Sequence, residues 1–320
     1  MAIDTVKIQY HVPFQEISLE GWVRKSTSIG KKEGEKDVFD RWYVKHKCEN
    51  GAMIKLEYIP VDLYGWDRDM LFIEFSLPML LYGCNHQLLG SWDTAFDCAN
   101  RELSKIPGLP PLSDIRDATL FRLDLCANLQ LEDAVPSNLQ AVAKAYYPRR
   151  TVDAYLPTGV IFQTKNGIST CFYDKFIECG HPDSSGVLRM EISMRNKRKI
   201  VKWLGRKNPT LRDLTLDRII ELLKKDLVIL NLDKPIISEQ LEIEVRLSAM
   251  YSQRRVRSLL GYLHISKTYT RDQMLANGYT RQTIHNYEKL LRDANISSLS
   301  IQDHIELPPL SIERQNVSNI

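Results

Sequence analysis

Three carboxylates interrupt apolar, alternating segments of the chain: Glu74 in FIEFS, Asp124 in FRLDLCANL and Glu191 in LRMEISMR. A carboxylate is seldom buried without a counter-charge or a metal ion. Three of them at the centres of strand-like segments make an oxygen-ligand set of the kind that holds Mg2+ or Mn2+. Cross-strand pairing with Arg122 or Arg189, each two residues from a carboxylate, would satisfy the same groups without a metal. Tyr173 stands in CFYDKFIE with Lys175 two residues on, so on a strand both side chains leave one face. A phenol of pKa near ~10 is a poor nucleophile at neutral pH, and a neighbouring ammonium or metal ion favours its phenolate. The chain has 14 tyrosines, so Tyr-x-Lys alone is not diagnostic, and Tyr146, Tyr147 and Tyr155 are further candidates.

Two other segments suit nucleic acid. RNKRKIVKWLGRK holds seven basic residues (Arg195, Lys197, Arg198, Lys199, Lys202, Arg206, Lys207) and no acidic one. Such a stripe contacts phosphates by releasing condensed counterions, or is merely a solvated helix face. A second basic cluster is Arg254-Arg255-Val256-Arg257. TRDQMLANG and YTRQTIHNYEKLLRDA read as two short helices around Gly278, with Thr270 and Thr280 as caps. In a helix-turn-helix this places Thr280, Arg281, Gln282, His285 and Asn286 near a DNA groove.

The elements that must position these residues follow from periodicity. Residues 4–14, Trp42–Val44, Met53–Ile59, Leu71–Leu77, Ala118–Leu129, 158–164, 168–178 and Val187–Met194 read as strands, with Pro78 ending the fourth and Lys165-Asn166-Gly167 turning a hairpin. Residues 92–105 and Ser137–Tyr147 have helical spacing, Ser137 being the cap of the second, and residues 25–37 are charged enough to suggest a mobile surface loop. From Leu211 the pattern is chiefly helical, with Leu241–Leu247 either strand or helix. This predicts an α+β fold: a mostly antiparallel sheet with helices over 1–207, a smaller helical DNA-binding domain over 208–307, and a disordered tail over 308–320.

The chain has 320 residues and 43 Lys and Arg against 40 Asp and Glu, so its net charge of +3 says little and its charge distribution says more. Six cysteines without a Cys-x-x-Cys pair argue against a zinc ribbon or a disulfide framework. With no leader-like start and no apolar run near ~18 residues, a cytoplasmic protein that does not enter membranes is expected.

The order FIEFSLPMLLYGCN, FRLDLCANL, STCFYDKFIE, LRMEISMR, over approximately residues 50 to 200, resembles the gene II type replication proteins of filamentous phages and their plasmid relatives, a divergent branch of the HUH-type nickases. The resemblance implies a rolling-circle replication initiator. Such an enzyme nicks one DNA strand at an origin and stays attached through a 5′-phosphotyrosine. It assigns the nucleophile to Tyr173, a basic partner to Lys175, the metal position to Asp124, and further acidic positions to Glu74 and Glu191. Mg2+ or Mn2+ would be the cofactor, origin DNA the substrate, and host helicase and polymerase further partners. The usual His-hydrophobic-His pair of such nickases is absent from this sequence, which leaves carboxylates to replace it. The competing expectation is a non-catalytic origin-binding or transcription-regulating protein. A mobilisation relaxase or transposase would share the chemistry.

Overall fold

A computed structural model describes residues 2–30, 36–60, 69–165, 167–237, 239–299 and 307–312. The fold is α+β, with a ten-stranded antiparallel sheet and helices concentrated towards the C-terminus. Its strands are β1 (Ala2–His11), β2 (Val23–Gly30), β3 (Lys36–Lys47), β4 (Met53–Ile59), β5 (Met70–Ser76), β6 (Thr119–Gln130), β7 (Thr151–Tyr155), β8 (Gly159–Gln163), β9 (Ile168–Asp174) and β10 (Val187–Met194), in the order β2-β3-β4-β5-β1-β6-β10-β9-β8-β7. The chain divides into two compact units, Met1–Cys126 with Ile192–Leu216, and Ala127–Glu191 with Asp217–Glu313.

In the first unit, alternation sorts each strand into two faces. Val6, Ile8 and Tyr10 of β1, Ile54, Leu56 and Tyr58 of β4, and Leu71, Ile73 and Phe75 of β5 are buried. Helix α1 (Leu77–Tyr82) packs on β1 and β5, and α2 (Trp92–Ser104) packs on α1. Pro78 does not end β5 against solvent; it lies in the first turn of α1, where its missing N–H has no intrahelical partner to lose, and Ser76 caps that helix through Met79 N. The charged stretch expected as a loop instead forms β2 and the start of β3, paired from Val23↔Tyr43 to Gly30↔Lys36; residues 31–35 lie outside the described residues. A strand at the end of a sheet can be this polar because only one edge is paired and charge keeps the other from aggregating.

In the second unit, α3 (Val135–Lys144) packs on β7, β8 and β9, over the buried Val160, Phe162 and Phe172. It starts two residues before the expected cap Ser137, with Pro136 in its first turn. Residues 175–179 are not the end of a strand: Asp174 accepts from Phe176 N and Ile177 N and turns the chain into the short α4 (Lys175–Cys179). Beyond α5 (Lys197–Leu204, in the first unit) and α6 (Leu216–Ile229), the helices α7 (Gln240–Ser248), α8 (Gln253–Thr268), α9 (Arg271–Ala276) and α10 (Arg281–Asp293) share a core. That core includes Ile243, Leu247, Val256, Leu259, Tyr262, Met274, Ile284 and Leu291. Part of the expected tail is tied down: Leu310 N donates to Leu232 O at 2.8 Å, and Leu310 and Ile312 are buried, while residues 313–320 lie outside the described residues. Among the described residues no helix is long and apolar enough to cross a membrane.

Candidate functional site

The expected site residues fall in both units: Glu74 and Asp124 in the first, Tyr173, Lys175 and Glu191 in the second. In the first unit, β1 lies between β5 and β6 and brings their charged residues into one lateral row. Lys55 pairs with Glu74, Glu74 with Lys7, and Lys7 with Arg122. Arg122 grips Asp124 with two hydrogen bonds, Nε to Oδ1 at 3.2 Å and Nη2 to Oδ2 at 2.6 Å, and its Nη1 lies 3.4 Å from Glu74 Oε1. Lys55 Nζ donates to the same Glu74 oxygen at 3.0 Å.

Burial raises the pKa of both carboxyls, but their neighbours tip the balance in opposite directions. Asp124 is 2% exposed. Burial raises its pKa and nearby Asp4 adds to that, against the opposing hydrogen bonds from Arg122 and Ser193. Burial also pushes Glu74 upward, but Lys55, Arg122 and Lys7 outweigh it and hold that carboxyl below its ordinary value. As arranged, the pair does not fit a hard cation: both Asp124 oxygens already accept from a guanidinium, and a metal would have to displace it. Arg122 thus makes the cross-strand pairing that the sequence left open, to Glu74 on β5, together with a pairing to Asp124 along its own strand. Arg189, fully buried on β10, directs its Nε to Asn128 Oδ1 at 2.8 Å.

In the second unit, Tyr173 is half-buried near the end of β9, and its hydroxyl donates to Glu191 Oε2 at 3.3 Å. Lys175 reaches Tyr173 through the turn into α4 and not by strand alternation. Its Nζ lies 5.6 Å from the Tyr173 ring centroid and 2.5 Å from Glu178 Oε2, with the side chain fully buried. Gly159 stands opposite Tyr173 in β8, and a Cβ there would come within 3.0 Å of Phe172 O and 3.1 Å of Tyr173 Cβ. No sequence motif marked Gly159; the strand pairing reveals it.

The other tyrosines are placed differently. Tyr147 donates to Asp226 Oδ1 at 2.8 Å beneath the Arg150 guanidinium, and burial, with Asp226 beside it, raises its pKa well above the usual range. Such a phenol is a packing group. Tyr155 is exposed, and Tyr146 is exposed with the Arg271 guanidinium 4.1 Å from its ring centroid.

The basic stripe is largely α5, capped by Asn196 and ended by Gly205 in the left-handed conformation. Ile200 and Leu204, one turn apart, are its buried anchors. Arg195, Arg198, Lys202, Arg206 and Lys207 are exposed, and Lys197 and Lys199 half-buried. Burial, and after it Lys207, lowers the Lys197 pKa, and its Nζ donates to Asn208 at 2.9 Å. Helices α9 and α10 form as the sequence indicates, with Thr270 and Thr280 as N-caps and Gly278 at φ 92° between them. Ile284 and Leu291 turn inward, leaving Arg281, Gln282, His285, Asn286 and Lys289 on the exposed side of α10.

Among the described residues, none of the nominated carboxylates belongs to a cluster of three or more side chains that could hold a metal ion. No protein-family model, curated protein or solved structure matches this chain.

Proposed function

We propose that the chain is a rolling-circle replication initiator that nicks one DNA strand with Tyr173. The observation that carries this reading is the Tyr173 hydroxyl hydrogen-bonded to a carboxylate, Glu191, with a buried ammonium, Lys175, beside its ring. In the proposed reaction the Tyr173 oxygen bonds to phosphorus as the bond to the 3′ oxygen breaks, and Glu191 receives the phenol proton. The products are a 5′-phosphotyrosine and a strand whose 3′ oxygen takes a proton from water. One phosphodiester replaces another, so a later hydroxyl attack reseals the strand without ATP.

A phenol is ordinarily a much weaker acid than a carboxylic acid, which opposes proton transfer before attack. The proton therefore moves only as the oxygen bonds to phosphorus, and the Lys175 ammonium favours the negative charge that builds up on the way. Residues Arg195 to Lys207 would hold phosphates and Arg281 and Gln282 would read the origin. Mg2+ or Mn2+ is the cofactor this reading calls for. Host helicase and polymerase in the cytoplasm would extend from the free 3′ hydroxyl.

The test is incubation of supercoiled DNA carrying the origin of the chain's own replicon with Mg2+ or Mn2+. Nicked circles with protein retained on the 5′ end after denaturation are expected, and EDTA should abolish them. Tyr173→Phe should lose nicking and keep binding. Cutting by Tyr173→Phe at the unmodified rate would refute the nucleophile. The Arg122 grip on Asp124 favours a second reading, a non-catalytic origin-binding or regulatory protein; binding without nicking under either metal would establish it.

A further inference from the structure

The geometry points to a second DNA-binding surface: the face of the first unit's sheet that carries Lys45, Lys55, Lys7 and Arg122 is a track for the phosphates of a single DNA strand. The row is set by strand register. Lys45 pairs with Lys55, Lys55 with Glu74, Glu74 with Lys7, and Lys7 with Arg122, across β3, β4, β5, β1 and β6. Directly paired residues point to one side of a sheet, so these five charges share a face, and the alternating Val6, Ile8, Ile73 and Phe75 are buried on the other. At ~4.8 Å per strand the row is about 19 Å long. It holds four cations against one carboxylate.

The neighbouring carboxylates reduce the surplus without cancelling it. Glu57 is shared by Lys7 at 2.7 Å and Arg41 at 2.8 Å, Glu74 is shared by Lys55 and Arg122, and Asp124 is paired with Arg122, so the five cations Lys45, Lys55, Lys7, Arg122 and Arg41 face three carboxylates. Lys45 and Lys47 on β3 are exposed, and neither side chain has a hydrogen bond or ion pair among the described residues. Lys7 and Arg122 are recessed, their side chains 22% and 28% exposed, while Lys55 at the outer side is 58% exposed. A rigid duplex meets only the outer lysines, whereas a flexible single strand crossing the β-strands can settle against a cation on every strand but β5. This goes beyond the proposed nicking, which invokes α5 and α10, and rests on that reading only in taking DNA as the partner.

The test is fluorescence anisotropy with a labelled oligodeoxythymidine and with a duplex of mixed sequence, at several salt concentrations without metal, so that no cleavage enters the readout. Lys45→Gln with Lys55→Gln should lower the slope of log Kd against log salt for the single strand by about 1.4, at ~0.7 for each phosphate no longer neutralised. The duplex slope should change less. Both lysines are exposed, so an unchanged melting curve is expected to accompany the weaker salt dependence. Arg198→Gln with Lys202→Gln in α5 is the companion variant. An unchanged slope in the sheet variant with a reduced one in the α5 variant overturns the track and leaves the DNA-binding reading standing. A reduced slope in the sheet variant alongside an inactive Tyr173 nicking assay supports the track and sinks the nickase.

Discussion

Replacing Arg122 with Met removes the guanidinium that grips Asp124 while keeping an unbranched apolar stem on β6. Asp124 is 2% exposed and would be left as a buried carboxylate without its cation. Breaking a buried pair from one side costs about 3–5 kcal/mol. Arg122 is itself partly in contact with solvent, and Ser193 still bonds Asp124, so the low end, about 3 kcal/mol at pH 7, is expected. The sign of the pH dependence follows from the raised Asp124 pKa. Below the unfolded value near ~3.9 the carboxyl is protonated in both states and the variant loses little. As pH rises from there towards the folded pKa, the unfolded chain releases its proton first, and each unit removes up to about 1.4 kcal/mol of the variant's stability. Urea unfolding at pH 4.5 and pH 7 would measure this, with an unchanged m-value indicating that only stability has moved. Arg122→Met with Asp124→Asn should recover most of the loss, because no charge is then stranded. A loss below about 1 kcal/mol at pH 7, the same loss at both pH values, or no recovery in the double variant would refute the view that Arg122 neutralises Asp124.

Asp226→Asn should lower stability by about 2–3 kcal/mol, read by calorimetry, because the buried carboxylate accepts from both Tyr147 and Thr170 and an amide nitrogen would face one of those hydroxyls as a second donor. Gly159→Val should cost about 1–3 kcal/mol by crowding Phe172 O and Tyr173 Cβ, and should reduce nicking more than it reduces DNA affinity, as strand cutting and anisotropy measured together would show. Ile284→Ala should destabilise by about 2–5 kcal/mol, since Ile284 is fully buried in the core that α7 to α10 share; a negligible shift in thermal unfolding would mean that this core contributes little.

Local chemistry made much of this protein legible from its sequence. Alternation marked β4, β6 and β10 to within a residue and β1 to within three, because a strand with one buried face must place apolar residues at every second position. Thr270, Thr280 and Gly278 bounded α9 and α10 because capping and left-handed turns depend on residues a few positions apart. Where a local signal was ambiguous, packing and neighbours decided: Pro78 opens a helix instead of ending a strand, Asp174 turns the Tyr173 segment into α4, and the polar β2 and the exposed β7 are strands through their partners. The interleaving of the two units along the chain also had no local signature. The carboxylates show the limit most clearly. Glu74 and Asp124 were visible as charges in apolar strands and Arg122 as a possible partner, but that Arg122 reaches both was not, because that depends on strand order and register. Only the insertion of β1 between β5 and β6 lets Arg122 reach Glu74, and the same insertion aligns Lys45, Lys55 and Lys7 with it, although these residues lie far apart in sequence.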